Sequence, residues 1–271
     1  SGVLDSVIEV GHYLLIEEQP AVAADGDGFA VVWRRSFSGR PDFQLVGARV
    51  TGATASEPQA LSDPGSISDP ALDCEGGGQC LVAWADGPQY HQNIMARAWT
   101  PRSGEIGSDV MQIAVDNRDF RPSVAWNATP GVTAYAIAWS VEWRYRAVYA
   151  RSVRGGVLGP EIEVDMSLGG SFTPDISPLG NGFVTAYARS GPDAEYSQVV
   201  KLARLAYTPD TGMLAMLDWS FVLSGNAPWV PAVSAVRDPE VLALWQDRPS
   251  LGYGQIVGRY ANLPLPTPVW P

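Results

Sequence analysis

The chain is short of most of what common catalytic and cofactor chemistries require. Its 271 residues contain two histidines, His12 and His91, and two cysteines. A transition-metal centre built on imidazole needs further ligands at coordinating spacing; none accompanies either histidine, so no metal and no cofactor is expected. No Gly-rich phosphate loop opens a helix and no G-x-S-x-G elbow occurs, which removes the signatures of nucleotide binding and serine hydrolysis. No apolar run approaches the ~18 residues of a bilayer-crossing helix, and no charged and apolar leader opens the sequence. The expectation is a mature chain without a transmembrane segment. Charge is sparse and lopsided, with 17% charged residues and 18 Lys+Arg against 29 Asp+Glu, a net charge of -11. Such a field repels phosphate backbones and anionic headgroups, so no nucleic acid partner is expected.

What the chain has is turn-forming residues and short apolar runs: 28 Gly, 22 Pro and 46% apolar residues, the composition of many short strands. A long internal repeat organises them. Each unit opens with Pro, one residue and an apolar residue: Pro20-Ala21-Val22, Pro70-Ala71-Leu72, Pro122-Ser123-Val124, Pro174-Asp175-Ile176 and Pro231-Ala232-Val233, spaced 50, 52, 52 and 57 residues apart. An apolar run follows and ends on an aromatic, at Trp33, Trp84, Trp139, Tyr187 and Trp245. A third strand then carries a small residue and an arginine: Ala48-Arg49, Ala96-Arg97, Ala150-Arg151, Ala203-Arg204 and Gly258-Arg259.

A fourth, outer strand completes the first four units, as in Gly156-Val157-Leu158-Gly159-Pro160-Glu161-Ile162-Glu163-Val164-Asp165. After Arg259 the chain instead runs into Pro264, Pro266, Pro268 and Pro271, which cannot supply a ladder. Residues Gly2-Val3-Leu4-Asp5-Ser6-Val7-Ile8-Glu9-Val10 read almost as a copy of the third unit's outer strand. Four strands per unit, five units and a strand returned from the other end predict an all-β, five-bladed β-propeller of antiparallel blades, closed by the N-terminal strand on the last blade. The expected single domain divides into a closing strand at 1–11, blades at 18–66, 67–116, 117–165, 166–225 and 226–262, and a Pro-rich tail at 263–271. The repeated aromatics are expected to fill the space between blades, and the arginines to make ion pairs or carbonyl contacts from blade to blade.

Cys74 and Cys80 flank Glu75-Gly76-Gly77-Gly78-Gln79, a turn between two strand-like runs, and are expected to form a disulfide across one hairpin. A disulfide implies an oxidising compartment, extracellular or periplasmic, and hence a secreted protein.

The segments FAVVWRR, LVGARV and GGVLGPEIEV resemble a repeat of secreted and lipid-anchored proteins of myxobacteria and related bacteria, and the likeness recurs along the whole chain. In architecture the chain also resembles the five-bladed tachylectin-type lectins, which bind amino sugars, and arabinanase-type glycoside hydrolases. None of the sequence motifs of those proteins stands intact here.

Function is expected where the copies differ. The residues before each repeat Pro are Gln19, Asp69, Arg121, Thr173 and Val230, converging on the channel mouth. The loops between second and third strands share that face and carry Tyr90 and His91, Trp143 and Tyr145, Tyr196, Asp247 and Tyr253. Exposed aromatics offer flat apolar surface to a sugar ring while polar neighbours satisfy its hydroxyls. With Arg121, these residues form the expected ligand-binding set of a secreted, non-enzymatic module for carbohydrate or a cell-surface polymer. The alternatives are a glycoside hydrolase and a protein-interaction platform of a larger surface protein. Glycoside hydrolysis needs carboxylates about 5 to 9.5 Å apart, for which Asp69, Asp175 and Glu142 are the candidates near the axis. Asp69 could instead cap a turn before its proline. The pair Asp25 and Asp27 sits where a hairpin turn is required, which outweighs a short cation loop.

Overall fold

The computed structural model describes residues 7–11, 16–36, 42–115, 118–142, 146–167, 171–190, 198–224, 229–247 and 255–263. Among the described residues all regular structure is β, arranged in five antiparallel sheets that follow one another along the chain. The protein is a five-bladed β-propeller.

The first blade consists of β1 (Glu17–Asp25), β2 (Gly28–Ser36) and β3 (Phe43–Thr51), with two short outer strands, β4 (Thr54–Ala55) and β5 (Gln59–Ala60), both paired to β3. The second repeats this with β6 (Ile67–Cys74), β7 (Cys80–Asp86), β8 (Asn93–Thr100), β9 (Glu105–Ile106) and β10 (Met111–Ala114). The third has β11 (Asp119–Asn127), β12 (Ala134–Glu142), β13 (Arg146–Arg154), β14 (Val157–Leu158) and β15 (Ile162–Ser167). In the fourth, β16 (Ser171–Leu179), β17 (Gly182–Ser190) and β18 (Gln198–Thr208) are joined by one long outer strand, β19 (Met213–Ser224). The fifth has three strands among the described residues, β20 (Trp229–Arg237), β21 (Glu240–Asp247) and β22 (Gln255–Asn262). Inner strands β1, β6, β11, β16 and β20 pack side by side in that order.

The blades stick together through one recurring contact. An apolar residue of each outer segment shares a core cluster with the aromatic of the next blade: Leu61 with Trp84, Ile113 with Trp139, Val164 with Tyr187, and Leu223 with Trp245. Trp84, Trp139, Tyr187 and Trp245 are all at most 2% exposed, so each buries nearly its whole ring between two sheets. The fifth such place, against Trp33, is taken by Val10. Residues 7–11 form no strand, and residues 9–11 lie beside the Ala55–Pro58 segment that joins β4 to β5. The rest of the expected closing strand, residues 1–6, and the tail from 264 onward lie outside the described residues.

Three of the third-strand arginines serve the same joints. Arg97 Nη1 donates to the Leu61 carbonyl at 2.9 Å and Arg151 Nη1 to that of Ile113 at 2.6 Å, each capping the outer segment of the preceding blade. Arg204 pairs with Asp238 of the fifth blade at 2.9 Å. Arg49 turns inward on its own blade, pairing with Asp25 at 2.5 Å and Asp27 at 2.6 Å, so the Asp25–Gly28 segment is a hairpin turn locked by arginine. Cys74 and Cys80 face each other across β6 and β7 and form the expected disulfide.

All five inner strands break register at the same point, between Glu18 and Ala21, Ser68 and Ala71, Phe120 and Ser123, Phe172 and Asp175, and Trp229 and Ala232. The repeat proline has no N–H to give to the ladder, and the residue before it turns left-handed: φ is 54° at Gln19, 48° at Asp69, 53° at Arg121, 51° at Thr173 and 45° at Val230. A side chain in that region is strained by about 1–3 kcal/mol, and a β-branched Thr or Val more than most. The bulge re-aims these five side chains out of the sheet and toward the ring axis.

Candidate active site

The five bulges build an axial cavity. Gln19, Asp69, Arg121, Thr173 and Val230, together with the five prolines that follow them, line a space of ≈ 480 Å³ at the mouth of the ring. Its walls are mostly apolar proline, with the bulge residues supplying the variable chemistry. Beside it, between the first three blades, opens a second cleft of ≈ 480 Å³ whose lining includes Arg34, Phe43, Asp69, Tyr90, Arg118, Phe120, Arg121 and Glu142. Asp69 and Arg121 belong to both, so they stand where axial cavity and outer cleft meet.

The cleft has a rigid floor. Gly87 sits at φ 125°, and a Cβ there would meet the His91 carbonyl oxygen at 2.3 Å, so glycine is what lets the loop after β7 fold back. The His91 N–H donates to Pro88 O at 2.8 Å, closing the turn that holds Tyr90 out, 61% exposed. On one side Gln92 Nε2 donates to Ser68 Oγ at 2.8 Å, and on the other the Asp119 N–H donates to Gln92 O at 2.9 Å. The loop is thereby pinned to both the second and third inner strands.

Each polar group in the cleft is held differently. The Asp69 N–H donates to Gln19 Oε1 at 2.9 Å, linking the bulges of blades one and two, while Asp69 Oδ2 accepts from Ser68 Oγ at 3.3 Å. Glu142 Oε1 takes both Nε and Nη2 of Arg146, at 3.0 and 2.5 Å. Arg34 bonds Glu18 at 2.6 Å and the Ile67 carbonyl at 3.1 Å, and its guanidinium lies 4.2 Å from the centre of the Phe43 ring. Arg121 is exposed, with its guanidinium 5.8 Å from the centre of the Phe120 ring.

Asp175 lines the axial cavity but is committed to neighbouring strands. Its Oδ2 accepts the Val233 N–H and its Oδ1 the Ser123 hydroxyl, each at 2.7 Å, while Ser123 Oγ accepts the Ile176 N–H at 3.2 Å. Burial pushes the Asp175 carboxyl above the usual carboxylate range. Asp73 makes a similar bridge, accepting the Trp126 N–H at 2.7 Å, and Ser177 accepts the Ala235 N–H at 3.2 Å. Side chains on one inner strand thus satisfy backbone donors of the next, which channel-facing strand edges require.

Of the residues singled out from sequence, Asp69, Glu142, Tyr90 and Arg121 come together in the outer cleft, and Asp175 stands in the axial cavity. His91 is exposed at the back of the Tyr90 turn and does not line the cleft. Asp247 lies at the end of β21 in the fifth blade, with Oδ1 buried and without a hydrogen-bond partner among the described residues. Trp143, Tyr145, Tyr196 and Tyr253 lie outside the described residues. Sequence reading missed Arg34, Phe43, Arg118 and Phe120, which line the cleft from strand ends. A signal was available for Phe120: units three, four and five place an aromatic two residues before the repeat Pro, at Phe120, Phe172 and Trp229.

No family model matches the chain, and no curated protein matches it. Solved structures do. An endo-arabinase from Bacteroides thetaiotaomicron is similar at TM-score 0.52 and 10% identity, over 90% of this chain and 93% of that one. A thermostable family-43 glycoside hydrolase is similar at TM-score 0.50 and 9% identity, over 95% and 97% of the two chains. A GH32 β-fructofuranosidase from Bombyx mori is similar at TM-score 0.51 and 10% identity, over 92% of this chain and 62% of that one. Identities this low show the shared propeller fold. Because these neighbours are glycoside hydrolases, the expectation of a non-enzymatic binding module is corrected, and the hydrolase alternative is the better supported of the two.

Proposed function

We propose that the protein is a secreted glycoside hydrolase whose active site is the outer cleft, with Asp69 and Glu142 as its pair of carboxylates. The observation that carries this reading is the placement of both in one ≈ 480 Å³ cleft that also presents Phe43, Tyr90 and Phe120. Hydrolysis of a glycosidic bond needs one carboxyl to protonate the leaving oxygen and a second, negative one on the other side of the sugar. Glu142, with Oε1 fixed by the two Arg146 donors, serves as the negative carboxylate, acting on water or on the anomeric carbon. Asp69, held by its strained bulge against the apolar ring of prolines, serves as the proton donor. The aromatic rings supply the flat surface on which a sugar stacks, and the positions of Asp69 and Arg121 allow the substrate to reach into the axial cavity. Asp175 acts as an inter-blade bridge, since both its oxygens already accept hydrogen bonds. The Cys74–Cys80 disulfide supports an extracellular or periplasmic setting, where polysaccharide is met.

The test is release of reducing sugar from arabinan, fructan, xylan and polygalacturonate. The wild-type chain is expected to cleave at least one, and Asp69→Asn to slow cleavage by roughly 10²–10⁴-fold, the contribution of a positioned proton donor. Full activity in Asp69→Asn, or no cleavage of any of the four by the wild type, overturns the proposal.

A further inference from the structure

The charges around the cleft run against the charge of the chain. Overall, anionic residues outnumber cationic ones by 29 to 18, yet the cleft lining holds Arg34, Arg118 and Arg121 against Asp69 and Glu142. The two carboxylates are what hydrolysis requires; it does not require three guanidinium groups. Arg34 is occupied, bonded to Glu18 and to the Ile67 carbonyl. Arg118 is engaged as well, and its carbonyl accepts the Glu142 N–H at 3.0 Å. Arg121 differs from both. It is exposed, it touches the Phe120 ring, and no hydrogen bond or ion pair within the described residues engages its guanidinium. A left-handed bulge at φ 53° holds its backbone and directs the side chain to the junction of cleft and axial cavity. The same bulge recurs at all five positions, so it sets where this side chain leaves the strand, and the arginine itself is what differs.

We propose that the cleft is selective for sugars bearing a carboxylate, uronic acid residues of an acidic polysaccharide, and that Arg121 is the group that recognises that carboxylate. The proposal deepens the reading of this cleft as a sugar site and rests on it. A guanidinium offers two parallel N–H donors that match a carboxylate, and such charge-assisted pairs are about twice as strong as neutral hydrogen bonds. Phe120 lies directly beside the guanidinium, so one uronate unit can place its carboxylate on Arg121 and its ring on apolar surface. With a chain this acidic, long-range attraction does not draw an anion in, so selectivity has to come from local contact.

The experiment measures binding by calorimetry on the full chain, with tri-galacturonate, its fully methyl-esterified form, and a sulfated oligosaccharide of the same length. Tri-galacturonate is expected to bind about tenfold or more tighter than the neutral ester, and Arg121→Gln to erase that difference. Because Arg121 is exposed and its guanidinium makes no hydrogen bond or ion pair among the described residues, Arg121→Gln is expected to melt near the wild-type temperature, which separates lost recognition from lost fold. Arg121→Lys retains charge without the fork and should recover only part of the preference. Equal affinity for acid and ester, an unchanged preference in Arg121→Gln, or tighter binding of the sulfated oligosaccharide overturns the proposal. Binding requires no turnover, so absence of bond cleavage removes the hydrolase reading while the preference for the acid still decides this one. Conversely, a chain that hydrolyses polysaccharide but binds tri-galacturonate no more tightly than its ester keeps the hydrolase reading and removes this one.

Discussion

The joint between blades three and four and the joint that the first blade presents to the fifth are built on one plan and filled differently. At the former, Tyr187 lies fully buried in a cluster that includes Val164, Phe183, Ile176 and Tyr207. At the latter, Trp33 has Val46, Ala48, Val31 and Val10, and nearby strands leave apolar side chains in water, with Val22 63%, Phe29 54%, Ile256 75% and Tyr260 73% exposed. Apolar area removed from water is what holds blade to blade, at roughly 25 cal/mol per Å². Among the described residues the packing is densest at the four joints of Leu61, Ile113, Val164 and Leu223, and the candidate active site sits among the first three blades.

Substitutions test this contrast, beginning with the largest effect. Trp139→Ala is expected to cost about 3–5 kcal/mol in urea unfolding, and Trp33→Ala, at a residue 5% exposed and in a smaller described cluster, about 3 kcal/mol. Equal losses would mean that the two joints are equally packed. A finer comparison sets Val164→Asp against Val10→Asp, since both residues meet the aromatic of the following blade. Val164 is 3% exposed and its substitution should cost about 3 kcal/mol, against about 1 kcal/mol for the partly exposed Val10. We further propose that residues 2–10 complete the fifth blade, as their likeness to residues 156–164 suggests. A cost at Val10 matching that at Val164 would strengthen this proposal, and no cost at all would remove it.

The smallest effect concerns pH. Burial raises the Asp175 carboxyl, and those of Asp73 and Asp86, so the native state binds these protons more tightly than the unfolded chain does. Their contribution therefore favours the folded state at low pH and is lost as pH rises from about 4 through their native values. Asp175→Asn keeps an acceptor for the Val233 N–H and removes the charge, so its urea midpoint should fall less between pH 4 and 7 than that of the wild type. An identical fall would show that the bridge, and not the buried charge, sets the behaviour of this position.

The ring was legible in the sequence because its joints are written in residue type. An aromatic at a fixed register and a small residue before an arginine recur in every unit, and burial between sheets gives those types one purpose. The bulges were not legible. A residue before proline ordinarily prefers extended backbone, so nothing in Gln19-Pro20 or Arg121-Pro122 announces a left-handed turn. The candidate cleft was half legible for the same reason. Asp69 and Arg121 stood out because they vary at a repeated position, and Tyr90 because its loop is long. Arg34, Phe43 and Arg118 sit at strand ends whose direction only the fold decides. Sequence likewise could not tell Asp175, absorbed into backbone bonding, from Asp69, which opens on the cavity.

The bulge before each proline has a consequence for how such a molecule changes over generations. Its geometry is the same for glutamine, aspartate, arginine, threonine and valine, so the backbone there does not depend on which side chain it carries. Five positions, 19, 69, 121, 173 and 230, can then be rewritten while the sheets behind them stay untouched, with positions 19 and 69 coupled through the Gln19 side chain. If the proposed site is right, the mouth of the ring is a five-character address, and a new ligand calls for new characters and not for a new scaffold.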